Sequence, residues 1–323
     1  MSFDEESSKV AVVMGGVSSE RDISLKSGQA IYQALQEENC PVFAIDLDHE
    51  DEQALIDQLT AEQVDIVFIA LHGRFGENGE LQAILDKHAF LYTGSSAACS
   101  RVAFNKVLTQ TKMREQAINV PSFNVVSRSE QKNREILSNN IEYPVFVKPA
   151  QEGSSIGISY VVDESELSRA LELSWRYGDS ALIEKAIIGR ELTVGIVGTQ
   201  ALPLVEIVPQ DGFFDFRAKY EKGKTSYHVP AQLDKELAQQ IQKTALEAYD
   251  ILGCRHFARA DFILGEQGAY YFLEMNTIPG FTETSLLPKA AQAIGISFNQ
   301  LCLKLIGMVN GEKKKNTNII HSN

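Results

Sequence analysis

The sequence lacks long apolar runs and is short of basic side chains. Thirty lysines and arginines stand against 43 aspartates and glutamates, so the formal net charge is -13 at pH 7. An acidic surface is poorly suited to the phosphate backbone of nucleic acids, so we expect no nucleic-acid partner. A transmembrane helix needs roughly 20 consecutive apolar residues, and no run approaches that length, so we expect no membrane segment.

The sequence has only four cysteines, and they form no recognisable pair. Cys40, Cys99, Cys254 and Cys302 lie far apart without a CxxC motif, and no secretory leader precedes them. This pattern predicts reduced thiols and a cytoplasmic location. Hydrophobic residues make up 44% of the 323 residues and charged residues 23%, which is typical of a globular chain of two or three domains and excludes a disordered or collagen-like protein.

The first hundred residues alternate short apolar runs with helical patterns. The strand-like runs lie at 10–14, 42–47 and 65–71, and the helix-like segments lie at 24–35 and 51–59. This βαβαβ order, with continuously apolar strands, predicts an open parallel sheet covered on both faces. Ligands of such folds bind at the carboxyl ends of strands, which here lead into the loops 15–21 and 72–79.

After about residue 100 the pattern changes. It predicts two α+β units with antiparallel sheets. The strand-like runs lie at 123–126, 144–149, 158–162, 181–185, 192–197 and 204–208. We therefore divide the chain into an N-terminal α/β domain (1–100), a central subdomain (101–188), a C-terminal subdomain (189–310) and a polar tail (311–323). The long polar loop at 209–230 predicts a functional lid or a disordered segment, since such loops are uncommon inside compact domains.

A predicted hairpin near residue 265 collects oxygen ligands on one face. Strands 257–264 and 269–276 flank a turn at 265–268, and this turn predicts that Asp261 faces Phe272 and Arg259 faces Glu274. Alternation then divides the hairpin into a polar face of Arg259, Asp261, Glu274 and Asn276 and a core face of Ala258, Ala260, Phe262, Leu273 and Met275. Carboxylates with an amide suit a hard cation such as Mg²⁺. The alternative is a solvated face with an Arg–Glu cross-strand pair.

Two lysines and one histidine stand where strands end. Lys148 and Lys185 each follow an apolar run, and a lysine in such a position can hold a phosphate as a point charge. The turn 153–157 after Lys148 is either a phosphate-binding loop or a plain hairpin turn. His72 follows the third apolar run, which indicates either a substrate contact or a structural hydrogen bond.

In this order, the motifs resemble the ATP-grasp superfamily and, within it, the D-alanine:D-alanine ligase family. The resemblance extends from about residue 10 to about residue 306. It rests on GGVSSERDIS at 15–24, HGRFGENG at 72–79, YTGS at 92–95, VKP at 147–149, EGSSIG at 152–157, AKY at 218–220, RAD at 259–261 and LEMNTIPGFT at 273–282. It implies an ATP-grasp fold, in which the parallel α/β domain and two antiparallel-sheet subdomains enclose ATP, and it implies a homodimer.

The resemblance also implies an activity. ATP phosphorylates the carboxylate of one D-alanine, and the amine of a second D-alanine attacks the acyl phosphate, which yields D-alanyl-D-alanine for peptidoglycan precursors. D-Lactate or D-serine is the alternative second substrate. Two further alternatives are a related ligase for another amino acid and a non-catalytic nucleotide-binding protein.

The resemblance assigns roles to individual residues. For ATP these are Lys106, Lys148 and Lys185 at the phosphates or the adenine pocket, Glu184, Ala186 and Ile187 near the base, and Glu191 on the ribose. For two Mg²⁺ ions, or Mn²⁺, they are Asp261, Glu274 and Asn276. For D-alanine they are Glu20 on the first ammonium, His72 lining the pocket, Arg259 and the backbone of Gly280 at the oxyanion, and Ser285 with Leu286 on the second carboxylate. In the lid, Lys219 would reach the transferred phosphoryl group, and Tyr220 would form hydrogen bonds toward Glu20 and Ser154.

Three residues depart from the family pattern: Asn105 and Asn78 stand where Asp is commoner, and the third, Glu283, lies two residues before Ser285. Glu283 stands where a small or neutral residue is usual. A carboxylate that pointed into the site would oppose the incoming carboxylate, whereas one that pointed outward would leave the site unaffected.

Overall fold

The computed structural model describes residues 8–129, 141–209 and 225–320, and side chains as far as residue 312. The N-terminal sheet is parallel, in the order β2-β1-β3-β4. Its strands and covering helices are β1 (Val10–Gly15), α1 (Arg21–Glu37), β2 (Val42–Leu47), α2 (Glu52–Ala61), β3 (Ile66–Ile69) and β4 (Leu91–Tyr92). The predicted βαβαβ order is confirmed. No helix in the described ranges is both long and apolar enough to cross a membrane.

The apolar strand β1 is buried throughout because both of its faces meet helices. Val10 and Val12 belong to a core that includes α1, whereas Ala11 and Val13 belong to the core on the opposite face with α2. This is the two-sided cover that a parallel sheet requires. It leaves the carboxyl end of the sheet as the place where polar loops gather.

Short helices follow β3 and lead into the next subdomain. They are α3 (Arg74–Glu77), α4 (Glu80–Lys87), α5 (Ala97–Phe104) and α6 (Lys106–Glu115). Segment 72–79, expected as a loop, therefore contains one helical turn. Gly76 permits that turn, since a Cβ there would lie 1.9 Å from the carbonyl oxygen of Leu71. Asn105 begins α6 by accepting a hydrogen bond from the backbone N–H of Leu108 at 3.1 Å, as a good N-cap residue does.

The central sheet is antiparallel, in the order β5-β8-β6-β7. Its elements are β5 (Phe123–Ser127), β6 (Val145–Pro149), β7 (Ser159–Val161), α7 (Glu164–Ser174) and β8 (Ser180–Lys185). One face carries an apolar core with α7, built from residues such as Val147, Leu171 and Ile183. Strand alternation places Lys148 and Glu184 on the opposite face.

The C-terminal sheet is also antiparallel, in the order β12-β11-β9-β13-β14, with β10 paired to β9. Its elements are β9 (Gly189–Val197), β10 (Gln200–Ala201), β11 (Val205–Pro209), β12 (Thr225–His228), α8 (Lys235–Leu252), β13 (Phe257–Gly265), β14 (Tyr270–Asn276), α9 (Leu286–Gln292) and α10 (Phe298–Ile320). The two antiparallel units expected from the sequence are confirmed.

Two segments that the sequence pattern assigns to loop or tail are regular structure. Residues 225–228 of the predicted lid form β12, which pairs with β11; residues 210–224 of that lid lie outside the described residues. The predicted polar tail begins inside α10, which continues to Ile320. Glu312 contacts Arg255 at 3.3 Å and His256 at 3.1 Å, so the last described side chain of this helix is held by the body of the subdomain.

The predicted register of the β13–β14 hairpin is wrong. Phe262 pairs with Phe272, and after an irregularity Asp261 pairs with Glu274 and Arg259 with Asn276. A β-bulge at Leu273 accounts for the shift, because two residues of one strand then oppose one residue of the other. Phe272 is consequently the fully buried residue and Leu273 is only partly buried. The four polar residues still share one face.

The bulge makes a stability prediction. We expect Phe272→Ala to lower the free energy of unfolding by about 3–5 kcal/mol, as for other buried aromatics. Leu273→Ala is the matched control and should cost clearly less, because its side chain is only partly buried. Urea denaturation of both variants measures the difference. Equal losses would contradict the bulged register.

Candidate active site

A cleft lies where the three sheets meet. It is lined by Glu77 from the N-terminal domain, Lys106 from the start of α6, Gly153 from the loop after β6, and Glu274 and Asn276 from β14. Glu77 and Asn276 end regular elements, Lys106 begins one, and Glu274 lies two residues before the end of β14. The cleft therefore brings together three segments predicted to be functional, namely the loop 72–79, the turn 153–157 and the polar face of the hairpin 257–276.

Glu20 and Ser154 join the N-terminal domain to the central subdomain. The Ser154 hydroxyl donates to Oε1 of Glu20, whose side chain is buried just before α1. Ser154 and Ser155 have φ values of 50° and 60°, a left-handed conformation that is uncommon for serine. At Gly153 a Cβ would lie 3.5 Å from Oε2 of Glu20. The turn 153–157 therefore packs directly over this carboxylate.

His72 lies beneath the same region and is buried. Its Nε2 atom is 2.9 Å from the Ser27 hydroxyl, and its Nδ1 atom is 3.5 Å from Oε1 of Glu77. Oε1 of Glu77 also accepts a hydrogen bond from the backbone N–H of Gly73 at 3.1 Å. Both ring nitrogens of His72 thus face polar partners. No role is predicted from the sequence for Ser27, because its contact with His72 spans 45 residues. Glu77, also without a predicted role, contacts His72 and Gly73 within the segment 72–79.

Asp261 is held by hydrogen bonds from every side. Arg259 donates to both of its oxygens at 2.8 Å, Asn276 donates to Oδ2 at 2.9 Å, and Thr193 of β9 donates to Oδ1 at 2.6 Å. The paired geometry with Arg259 is the strong two-point form of an ion pair. Thr193, which the sequence analysis missed, stands directly opposite Asp261 in the neighbouring strand.

Glu274 has its own cation. Lys106 donates to Oε2 of Glu274 and to the backbone oxygen of Glu152, both at 2.9 Å. Burial disfavours the charged form of Lys106, but the carboxylates of Glu274, Glu184 and Glu77 outweigh it and raise the pKa of Lys106 above its usual value. The lysine therefore stays protonated in the cleft.

Glu184 is the most deeply buried carboxylate of the site, with 1% of the residue exposed. It pairs with Lys148 of the neighbouring strand and accepts a hydrogen bond from the side-chain amide of Gln110 on α6. The same amide also donates to the backbone oxygen of Leu273 at 3.3 Å. Gln110 thus connects the central sheet to β14, and the sequence analysis did not single it out.

Asp261, Glu274 and Asn276 offer the ligands expected of a magnesium site. Asp261 and Glu274 are opposed across the hairpin, and Asn276 adds an amide on the same face. Within the described side chains no group of three or more carboxylates, imidazoles or thiols is placed to hold a metal. Two carboxylates completed by an amide and by nucleotide phosphates fit Mg²⁺, which usually takes few protein ligands and keeps waters.

Comparison with known proteins matches this geometry. The family model described as the D-ala D-ala ligase C-terminus matches residues 113–307, and the N-terminus model matches residues 9–59. A D-alanine–D-alanine ligase from Syntrophotalea carbinolica is 44% identical over 92% of this chain and 95% of its own length. One from Geotalea uraniireducens is 41% identical over 95% and 97%. The chain belongs to the D-alanine–D-alanine ligase family.

Solved structures of this family confirm the fold. The ligase from Bacillus anthracis, complexed with ATP, superposes with a TM-score of 0.84 at 30% identity over 96% of this chain and 99% of that one. The VanG D-Ala:D-Ser ligase from Enterococcus faecalis gives a TM-score of 0.82 at 29% identity over 94% and 100%. The resemblance inferred from the motifs and the ATP-grasp fold are therefore both correct.

Other residues that the family resemblance marks lie at the margins of this cluster. Lys185 is half exposed and pairs with Glu142 at 2.6 Å, and the backbone N–H of Ala186 donates to Pro144 at 3.0 Å. Ile187 lies against the turn glycine Gly265. Glu191 lies on β9 opposite Ile263. Among the hydrogen bonds that the structure describes, none joins these four side chains to Asp261.

The loop between β14 and α9 carries the remaining positions. The Ser285 hydroxyl accepts a hydrogen bond from the backbone N–H of Thr282 at 3.0 Å and lies near Gly280, where a Cβ would be 3.4 Å away. Leu286 begins α9. Glu283 is exposed, which agrees with the alternative in which its carboxylate points outward. Lys219 and Tyr220 lie outside the described residues.

The Lys148–Glu184 pair makes a prediction that separates stability from binding. Lys148→Met leaves a buried carboxylate unpaired, so we expect the free energy of unfolding to fall by about 3 kcal/mol. The double variant Lys148→Met, Glu184→Gln removes that charge and should recover most of the loss, whereas ATP affinity should stay low. Urea denaturation and calorimetric titration with ATP measure the two effects. A double variant as unstable as the single one would contradict the pairing.

Proposed function

We propose that this chain joins two D-alanines into D-alanyl-D-alanine through a D-alanyl phosphate, for peptidoglycan precursor synthesis. The chain is an ATP-dependent ligase of the family identified above. The observation that carries the assignment is the cleft itself, where Lys106 and the carboxylates of Glu77, Glu152 and Glu274 converge from all three parts of the chain beside the Glu20–Ser154 contact. Acyl phosphate chemistry needs such a convergence, because several anions must be brought together and neutralised.

ATP would lie along the face of the central sheet that carries Lys148. Lys106 and Lys148 are charged groups already positioned in the cleft, and Lys185 stands at its margin. They would hold the phosphates or close the adenine pocket. Glu184, Ala186 and Ile187 would contact the base and Glu191 the ribose, as the family resemblance implies.

Two Mg²⁺ ions, or Mn²⁺, would be held by Asp261, Glu274 and Asn276. When bound, such ions neutralise phosphate charge and orient the phosphates for in-line transfer. In the structure Arg259 and Lys106 compensate the two carboxylates. Each of the two carboxylates therefore has a positively charged partner beside the proposed metal position.

The first D-alanine would bind with its ammonium on Glu20 and with His72 lining its pocket. Its carboxylate oxygen attacks the terminal phosphorus of ATP, which releases ADP and leaves the acyl phosphate. Arg259 and the backbone N–H of Gly280 would stabilise the oxyanion that forms when the second amine attacks. Preorganised donors of this kind usually supply the largest single share of transition-state stabilisation.

The second D-alanine would bind through its carboxylate on Ser285 and the backbone of Leu286. The lid would then close, with Lys219 on the transferred phosphoryl group and Tyr220 toward Glu20 and Ser154. A closed lid protects the acyl phosphate from water. The roles of Lys219 and Tyr220 rest on the family resemblance.

We also propose that the protein works in the cytoplasm, where its cysteines, all of them free thiols, would stay reduced. The homodimer that the resemblance implies stays a prediction.

The proposed reaction is tested by release of phosphate and ADP from ATP in the presence of Mg²⁺ and D-alanine. We expect release to depend on D-alanine, with the dipeptide detected by mass spectrometry. Lys219→Ala should lower turnover by about 10²-fold or more, because it removes a charge from the transferred phosphoryl group. ATP binding without D-alanine-dependent ADP formation would instead support a non-catalytic nucleotide-binding protein. Turnover only with another amino acid would support a related ligase.

Second-substrate choice is a separate prediction. Relatives that make depsipeptides lack the lid tyrosine, so Tyr220 favours D-alanine over D-lactate. We expect D-alanine to be the best second substrate near neutral pH and Tyr220→Phe to raise the share of D-lactate product. Product ratios from mixtures of D-alanine, D-lactate and D-serine measure this preference. Greater turnover with D-lactate or D-serine by the unaltered enzyme would show the specificity to be wrong.

A further inference from the structure

Ser27 is a buried hydroxyl that contacts two different parts of the site. It lies on α1 and is 1% exposed. Its Oγ atom is 2.9 Å from Nε2 of His72 and 3.3 Å from the backbone nitrogen of Phe281. One hydroxyl of the N-terminal domain therefore touches both the loop after β3 and the loop between β14 and α9.

The chemistry of these groups fixes the direction of the hydrogen bonds. The backbone N–H of Phe281 can only donate, so Oγ of Ser27 accepts from it. At the other end of the imidazole, Nδ1 faces Oε1 of Glu77 at 3.5 Å, and a proton on Nδ1 is the arrangement that this acceptor oxygen favours. Nε2 is then an acceptor, and the remaining proton of Ser27 is directed to it.

The contact with Phe281 also positions its neighbours. The Phe281 ring is buried and lies 5.8 Å from that of Phe68 and 5.5 Å from those of Phe257 and Phe298, measured between centroids. With ring and backbone both held, the adjoining Gly280 has little freedom. Gly280 is the residue whose backbone N–H the proposed function places at the oxyanion.

We propose that Ser27 is a positioning residue that locks His72 in the Nδ1-protonated tautomer and holds the 280–285 loop against the first-substrate site. Its expected effect on turnover rests on the proposed function, whereas the tautomer of His72 does not. Ser27 would contact neither substrate. It would act by keeping His72 and Gly280 in one arrangement, which a displacement of well under 1 Å would spoil.

Ser24 provides a matched control. It lies one turn earlier on α1, is fully buried, and its hydroxyl makes two hydrogen bonds of 2.8 Å, to the backbone of Gly15 and of Ala70. Both partners lie within the N-terminal domain. Ser24→Ala therefore removes a buried hydroxyl without touching His72 or the 280–285 loop.

The kinetic test compares Ser27→Ala with Ser24→Ala, after urea denaturation has shown that the two variants lose a similar free energy of unfolding. We expect Ser27→Ala to raise KM for the second D-alanine and lower kcat, together by about tenfold in kcat/KM, which corresponds to the loss of one buried hydrogen bond. KM for ATP should stay unchanged, because no contact of Ser27 leads to Lys106 or Lys148. Equal kinetic effects in the two variants would overturn the proposal.

A spectroscopic test works without substrates. The ¹⁵N spectrum of the imidazoles, with the His72 signals identified by their loss in His72→Gln, should show a protonated Nδ1 and an accepting Nε2. In Ser27→Ala the Nε2 signal should move toward that of an acceptor with no hydrogen bond, whereas Ser24→Ala should leave it in place. A protonated Nε2 in the unaltered enzyme would overturn the proposal. If the enzyme shows no D-alanine-dependent turnover, the proposed function fails, and this spectrum still decides the role of Ser27.

Discussion

Three carboxylates of the site, of which Glu184 is buried and Asp261 and Glu274 are partly buried, each have a cationic partner, and the arrangement of the site depends on this pairing. Asp261 has Arg259, Glu274 has Lys106 and Glu184 has Lys148. Removing one partner of such a pair commonly costs several kcal/mol. The cations must therefore stand in place before any nucleotide binds. Phosphates that enter the cleft meet positive groups already oriented, which lowers the ordering cost of binding.

This local pairing explains how an acidic protein can handle ATP. The net charge of -13 is a property of the whole chain, whereas a phosphate in the cleft lies within a few ångströms of specific cations. Interactions over longer distances are screened by salt. The carboxylates of the cleft contribute to the negative total, yet by binding Arg259 and the lysines they hold positive groups inward. Net charge therefore disfavours a polyanion-binding surface without excluding a nucleotide site.

The sequence predicts this architecture well wherever a local pattern determines it. The βαβαβ order, the two antiparallel units and the shared polar face of β13 and β14 follow from apolar periodicity. The hairpin register does not, because the bulge at Leu273 is set by how Phe272 packs against Phe262 in the core. Likewise, β12 contains only polar and aromatic residues and becomes a strand through its pairing with β11.

The candidate site shows the same division. Strand alternation predicts that Asp261, Glu274 and Asn276 share one face of their hairpin. It likewise places Lys148 opposite the apolar face of its own strand. Ser27, Gln110 and Thr193 act through partners far away in the chain, so no single segment marks them. Gln110, for example, lies on a polar helix and becomes informative once Glu184 and Leu273 are seen beside it. Only the AKY motif of the family marks Lys219 and Tyr220.

The packing between subdomains is unequal, and this bears on how the site is assembled. The N-terminal domain and the C-terminal subdomain share one apolar core that includes Ile31, Phe257 and Leu305, whereas the central sheet has a separate core around Val147 and Leu171. The described contacts of the central sheet and its loops with the rest of the site include polar ones, such as Ser154 with Glu20 and Glu184 with Gln110 of α6. Helix α6 itself joins the apolar core of the C-terminal subdomain through Met113. A hydrogen bond contributes only about 1 kcal/mol net, far less than a shared core. Nucleotide and substrate that bind between these surfaces would therefore add stabilisation at a junction whose described contacts include polar ones, where it bears directly on the geometry of the site.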